Sequence, residues 1–416
     1  MFKNIISSIS GPAYKKAMYL TLTVNSLLIF ADLFISPIFL VYLKGHLGIN
    51  SSGVVMVMAF LSVFIMLLDY PTSHIADVWD KLKVAMVGTL SLSVGLFIYG
   101  FSDSLALTII GVFFKALGLA VISGTLSSWF VDQISQREDF DVIREKYITL
   151  STITQKTTIV VSLIISYFVI NYLSKQAVFA ISSSVYAFAS LILFVAIHHL
   201  SQSKTEEYQW DNYRSLLDAK PLVSFLRQSL QRKEHRFIYS IQILFGLGFV
   251  IYITFWQLVA EEVELESHLP TLTLLGFIVA WVGSWILPFL DRDALRKYKY
   301  SVISGIIFSL LIINAFCFVN LSGSKYFFLG IVFSFQLLIT FLGVWVQGKT
   351  MEYAPEANQS AKYFSLSSTL SELVNSSFLF FNSFYLVKVM PDVSLLFLYS
   401  VPFSVLLVLL VTRLIK

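Results

Sequence analysis

A chain of 416 residues with 57% hydrophobic and only 13% charged side chains departs from a soluble domain, in which roughly a quarter of residues carry charge. Its mean hydropathy of +0.78, with 38 phenylalanines and 20 tyrosines, belongs to a surface that faces lipid and carries aromatic side chains at its borders. A net charge of +4 says little by itself, and the single cysteine, Cys317, excludes an intrachain disulfide and implies no cysteine metal cluster.

Apolar windows follow one another along the chain, each long enough to cross a hydrocarbon layer of about 30 Å. They fall at 17–43, 53–70, 84–101, 105–131, 147–170 and 178–198, and then at 237–260, 270–290, 300–319, 326–347, 364–387 and 393–414. Each is expected to be a helix, because a backbone inside lipid has to satisfy its own hydrogen bonds. The expected fold is an all-α membrane protein, with twelve transmembrane helices in two pseudo-symmetric six-helix bundles, 1–200 and 237–416. The polar stretch 201–236 joins them; there Leu216, Leu217, Leu222, Phe225, Leu226 and Leu230 recur at helical spacing among basic residues, as in a helix lying on the membrane surface. With the N-terminus inside, 23 of the 29 lysines and arginines fall on inner segments, four on outer segments and two within spans. This bias sets both termini in the cytoplasm, with the chain a multi-pass protein of the inner (plasma) membrane.

Four ionisable residues lie deep within these windows: Asp32, Lys115, Lys156 and Glu372. A charge at the centre of a membrane helix costs about 2.5–3.5 kcal/mol even on insertion scales, so it needs a partner, a cavity or a solute. In the first span Thr21, Asn25, Asp32 and Ser36 form one polar stripe; in the fourth, Gly111, Lys115, Gly118, Thr125 and Trp129 form another. Asp32 and Lys115 lie at nearly one depth, roughly 3 Å beyond the midplane at the rise of a helix. The fifth span adds Lys156 beside Gln155 and several threonines; the eleventh adds Glu372 on a stripe with Ser365, Ser368, Asn375 and Asn382. Gln242, Trp256, Gln257 and Gln336 are either cavity groups or ordinary helix packing. Two deep lysines against one deep acid in the first half point to a solute that is anionic or zwitterionic.

The segment Pro71-Thr-Ser-His-Ile-Ala-Asp-Val-Trp-Asp-Lys-Leu-Lys83 resembles the signature loop of the major facilitator superfamily, Gly-x-x-x-Asp-Arg-x-Gly-Arg-Lys. Asp77 matches the acid and Lys81 and Lys83 the basic positions, while Ser73, Val78 and Asp80 stand where the family has glycine, arginine and glycine. Asp69-Tyr-Pro-Thr-Ser73 and Ser123-Gly-Thr-Leu-Ser-Ser-Trp-Phe-Val-Asp132 are similar to stretches of a bacterial efflux-type branch, and Tyr252-Ile-Thr-Phe-Trp-Gln257 looks like its seventh-helix element. Asp291-Arg-Asp-Ala-Leu-Arg-Lys297 echoes the first loop at the matching place of the second half. The fifth helix lacks the glycine- and proline-rich motif of many drug–proton antiporters, and Val112 stands near the usual fourth-helix arginine, with Lys115 one turn on.

The resemblance implies two lobes that rock about a central cavity lined by the first and fourth helices. It implies gating by Asp69, Asp77, Lys81, Lys83 and Asp132, with Asp77 near a helix start meeting its positive end. Asp32 and Lys115 are then either a switchable pair, in which protonation of Asp32 frees Lys115 for a solute anion, or a permanent structural ion pair. The expected proton-coupling residues are Asp32 and Glu372; the expected solute-binding residues are Asn25, Asp32, Lys115, Lys156, Gln242, Trp256, Gln257 and Gln336. The expected function is proton-coupled export of a small organic solute, such as an antibiotic, modified peptide or metabolite, by alternating access. The alternatives are a nutrient importer or facilitator for a peptide, sugar or organic acid, and a non-transporting membrane sensor. No phosphate-binding glycine loop occurs and the histidines lack metal spacing, so neither an enzyme nor a metal site is expected. The expected partners are the solute, protons and the bilayer, with no nucleic acid and no cofactor beyond the proton gradient, and the chain is expected to act as a monomer.

Overall fold

The computed structural model describes residues 12–49, 51–200, 269–286 and 360–381, with scattered positions between 231 and 351. The first half runs through α1 (Pro12–Ile35), α2 (Phe39–Leu47), α3 (Ser51–Val78), α4 (Lys81–Phe101), α5 (Leu105–Ile122), α6 (Thr125–Ile134), α7 (Phe140–Tyr172) and α8 (Lys175–Leu200). The second half contributes α9 (Leu269–Ile286) and α10 (Ser360–Phe381). Among the described residues six stretches are long and apolar enough to span a membrane, α5 and α6 together making one of them.

Three boundaries differ from the apolar windows, each for a local reason. The window 17–43 is two helices, because Pro37 has no N–H to donate and its ring displaces the preceding turn; the chain breaks over Ser36 and Ile38 and resumes as α2. The fourth span breaks at Ser123–Gly124, where Gly124 takes φ +72°, a left-handed conformation that glycine adopts without a Cβ clash. The segment from Pro71 to Asp77 is helix, not loop, since α3 continues to Val78. Asp77 therefore lies in the last turn of α3, correcting its expected place at a helix start. The capping acid is Asp80, whose Oδ1 accepts from the Leu82 and Lys83 amides at 2.9 and 3.3 Å.

Small residues set the packing. A Cβ on Gly95 would press into the backbones of Gly111 and Lys115, and one on Gly118 would meet the Gly88 carbonyl at 2.7 Å, so α4 and α5 touch backbone to backbone. Lipid offers no hydrophobic drive for helices to associate, and close approach with hydroxyl bonding replaces it. Ser93 Oγ donates to the Ser183 carbonyl at 2.8 Å and Ser183 Oγ to that of Ser93 at 2.9 Å, joining α4 to α8. Ser162 and Ser166 of α7 donate to the carbonyls of Phe30 and Phe34 of α1, at 2.7 and 2.6 Å. Large apolar residues repeat on the outer faces, as Leu90, Val94, Phe97 and Phe101 do on α4 and Ile164, Ile165 and Phe168 on α7. These are the lipid-facing stripes.

Helices from the two halves of the chain meet in pairs, α3 with α10 and α7 with α9. Val55 and Ala59 of α3 pack on Leu379 of α10. Phe364 of α10 packs on the cluster of Leu126, Trp129, Phe130 and Met351, directly over Gly124.

Candidate functional site

Lys115 Nζ lies 3.1 Å from Asp32 Oδ1, joining α5 to α1. The two partners differ in surroundings: the lysine side chain is 8% exposed and the aspartate 44%. The amine is enclosed, whereas the carboxylate borders open space. Gly95 brings α4 against the backbone of Lys115 and thereby fixes where its side chain begins.

A second neighbour of Lys115 was not among the residues picked from sequence. The Phe39 ring centroid lies 4.3 Å from Nζ, close enough for the ring's negative face to attract the ammonium. The break at Pro37 lets α2 begin there and turns Phe39 inward. Phe39 stacks on Tyr99 with centroids 4.6 Å apart and planes 7° from parallel, and the Tyr99 hydroxyl donates to the Phe39 carbonyl at 3.1 Å. Tyr42 closes the cluster by donating to the Gly100 carbonyl at 2.7 Å, with Phe179 packed against both tyrosines. Pro37 was the one hint in the sequence.

The other deep charges stand elsewhere. Lys156 lies at the meeting of α7 and α9, its Nζ 5.9 Å from the Phe277 ring centroid. Beside it the Trp281 indole N–H donates to Thr157 Oγ1 at 2.9 Å. Glu372 lies at the other contact between the halves, accepting from Asn375 Nδ2 at 3.4 Å and set against Ser62 of α3. Neither Lys156 nor Glu372 makes an ion pair among the described residues. Asn25 lies beside the Tyr147 hydroxyl. Gln242 Nε2 donates to Thr350 Oγ1 at 2.8 Å, and Gln336 is buried against Gly276. Trp256 and Gln257 lie outside the described residues.

Three of the gating candidates, Asp77, Lys81 and Asp132, gather where α3, α4 and α6 end or begin. Lys81 Nζ contacts Asp132 Oδ2 at 2.5 Å and Asp77 Oδ1 at 3.5 Å, tying the last turn of α3 and the first of α4 to α6. Asp69 is fully buried on α3, and Lys83 is exposed. Next along the chain Arg137 binds Asp139 at 2.8 Å and holds its carboxyl below the usual carboxylate range. Arg144, with a side chain only 5% exposed, pairs with Asp141 at 3.0 Å and lies over the Phe140 ring.

The family model described as Major Facilitator Superfamily matches residues 22–379. No curated protein sequence matches the chain. Among solved structures the chain is similar to an auto-inhibited peptide transporter of the POT family, with 13% identity, a TM-score of 0.70, and 96% of each chain covered. It is similar to the nucleoside transporter NupG at 14% identity and a TM-score of 0.65, over 96% of this chain and 99% of that one. The human organic anion transporter MFSD10 (TETRAN) aligns at 11% identity and a TM-score of 0.65, over 98% of this chain and 100% of that one. At such identities these likenesses establish the fold and leave the solute open. With the family model matched over most of its length, the chain belongs to the major facilitator superfamily, as a multi-pass secondary transporter of the membrane and not an enzyme.

Proposed function

We propose that the chain exports a small organic solute in exchange for protons, with Asp32 and Lys115 as the coupling pair. The observation that carries this reading is the difference in exposure between the partners: the Asp32 side chain is 44% exposed while that of Lys115 is 8% exposed. A proton or a cationic group of the solute reaches Asp32 without displacing anything. Each removes the negative charge that Lys115 faces, so the two compete for one carboxylate, and competition at a single site moves proton and solute in opposite directions. An anion arriving at Lys115 would instead need Asp32 protonated first, which would carry both ligands together and make the protein an importer. The export direction also agrees with the motif likeness around Ser123–Asp132 in the sequence. Both termini on the cytoplasmic side complete the reading.

The test uses everted membrane vesicles holding a proton gradient reported by a pH-sensitive dye. Aminated and non-aminated metabolites are added in turn. In the wild type an accepted solute collapses the gradient; in Asp32→Asn it does not, although the variant inserts and folds. Full gradient collapse by Asp32→Asn would remove Asp32 from the mechanism. Gradient formation driven by solute efflux with co-moving protons would reverse the direction.

A further inference from the structure

Lys156 is the deep charge that the coupling pair leaves unused. It is the seventeenth residue of the 33-residue helix α7, at the middle of a span. The deep acids that could neutralise it are engaged elsewhere: Asp32 is held by Lys115 at 3.1 Å, and Glu372 sits at the α3–α10 contact with Asn375 and Ser62. Among the described residues no carboxylate pairs with Lys156. Its neighbours across the contact are aromatic, the Phe277 ring at 5.9 Å and Trp281, whose indole N–H is already bonded to Thr157. An aromatic face attracts an ammonium by about 0.5–2 kcal/mol, less than the charge costs at this depth and far short of a counter-ion. Among the described residues the cation is therefore built in without a full protein partner, at a contact between the two halves of the chain.

We propose that Lys156, set against Phe277 and Trp281 where α7 meets α9, receives the anionic group of the transported solute, a carboxylate or its sulfonate or phosphate-ester equivalent. This rests on the reading of the chain as a transporter and adds a substrate class to it. A solute that offers a cationic group to Asp32 and an anionic group to Lys156 is a zwitterion.

The purified full-length chain in detergent tests this with benzoate, benzenesulfonate and phenyl phosphate as probes, and benzylammonium and benzyl alcohol as controls. Lysine acylation is followed residue by residue by mass spectrometry, and thermal unfolding is followed in parallel. Saturating anion is expected to slow acylation of Lys156 by about tenfold, as a site at least 90% occupied requires, while Lys115 is unaffected. Lys156→Gln is expected to lose the anion-dependent rise in unfolding temperature and Lys156→Arg to keep it. Asp32→Asn is expected to retain protection of Lys156, which separates this proposal from the coupling reading. Equal protection by benzylammonium or benzyl alcohol would overturn it. So would an equal rise in Lys156→Gln, or no protection by any of the three anions.

Discussion

Lys115 has two supports, and they do different things. Asp32 supplies the opposite charge at 3.1 Å, and Phe39 supplies a ring face at 4.3 Å that stays in place whether or not Asp32 is ionised. Removing one member of a buried ion pair costs about 3–5 kcal/mol, but Asp32 is partly open to water, which lowers the cost here. Lys115→Met is expected to lower the unfolding temperature and abolish proton-driven flux. Adding Asp32→Asn to it is expected to recover most of the stability, because no charge is then left alone, and none of the flux. That double-variant cycle separates the two readings of the pair, since normal flux in the double variant would make the pair structural only. A simpler expectation concerns Asp80, whose carboxylate caps α4. Asp80→Ala is expected to cost about 1 kcal/mol in denaturant or thermal unfolding. No measurable loss in Asp80→Ala would contradict the assignment of the cap.

At the scale of the helix, α5 is placed by α4 through glycine contacts. A side chain at Gly95 would run into the backbone of Lys115 itself, so the helix contact and the position of the charged pair are one feature. Gly95→Val is expected to cost about 1–3 kcal/mol by overpacking and to depress transport more than stability, because α5 shifts under Lys115. Thermal unfolding and vesicle flux measured on the same preparation would check the split; unchanged flux in a stable variant would detach α4 from the site. Much of this level was readable in advance. Asp32 and Lys115 could be matched because residues on antiparallel spans share a depth when their offsets from mid-span agree. The breaks at Pro37 and Gly124 were hidden, because an apolar window registers composition over about 20 residues and is blind to one missing N–H or one positive φ. Phe39 was missed for that reason: on an unbroken helix it would be one apolar residue among many. The place of Asp77 is hidden for another reason: the motif's pattern is that of a loop, whereas α3 continues through Pro71.

For the whole molecule, periodicity shows that a stripe is polar but not what it faces, so the meeting of Glu372 with Ser62 and of Lys156 with Phe277 needed the three-dimensional arrangement. The same holds for the contact of Phe364 with Gly124, which joins the halves at the end of the fourth span. Phe364 is the fifth residue of α10, and its Cβ occupies the place that a Cβ on Gly124 would take. Gly124→Ala therefore carries two penalties: about 1–2 kcal/mol for a left-handed backbone with a side chain, and an overlap with α10. The first is local, while the second is relieved when α10 moves away from α6, which separates the halves at this end. The variant is expected to favour the conformation open there. A Leu126→Cys reporter in a Cys317→Ser background, buried under Phe364 in the closed arrangement, should then be alkylated faster by a maleimide. The overlap involves the Phe364 Cβ and, behind it, the ring Cγ at 3.2 Å. Because trimming Phe364 also uncovers Leu126, stability is the readout for the pair: Phe364→Gly added to Gly124→Ala should cost less than the two single changes together. Additive losses of stability, with no faster alkylation in Gly124→Ala itself, would mean that backbone strain at Gly124, not contact between the halves, sets the effect.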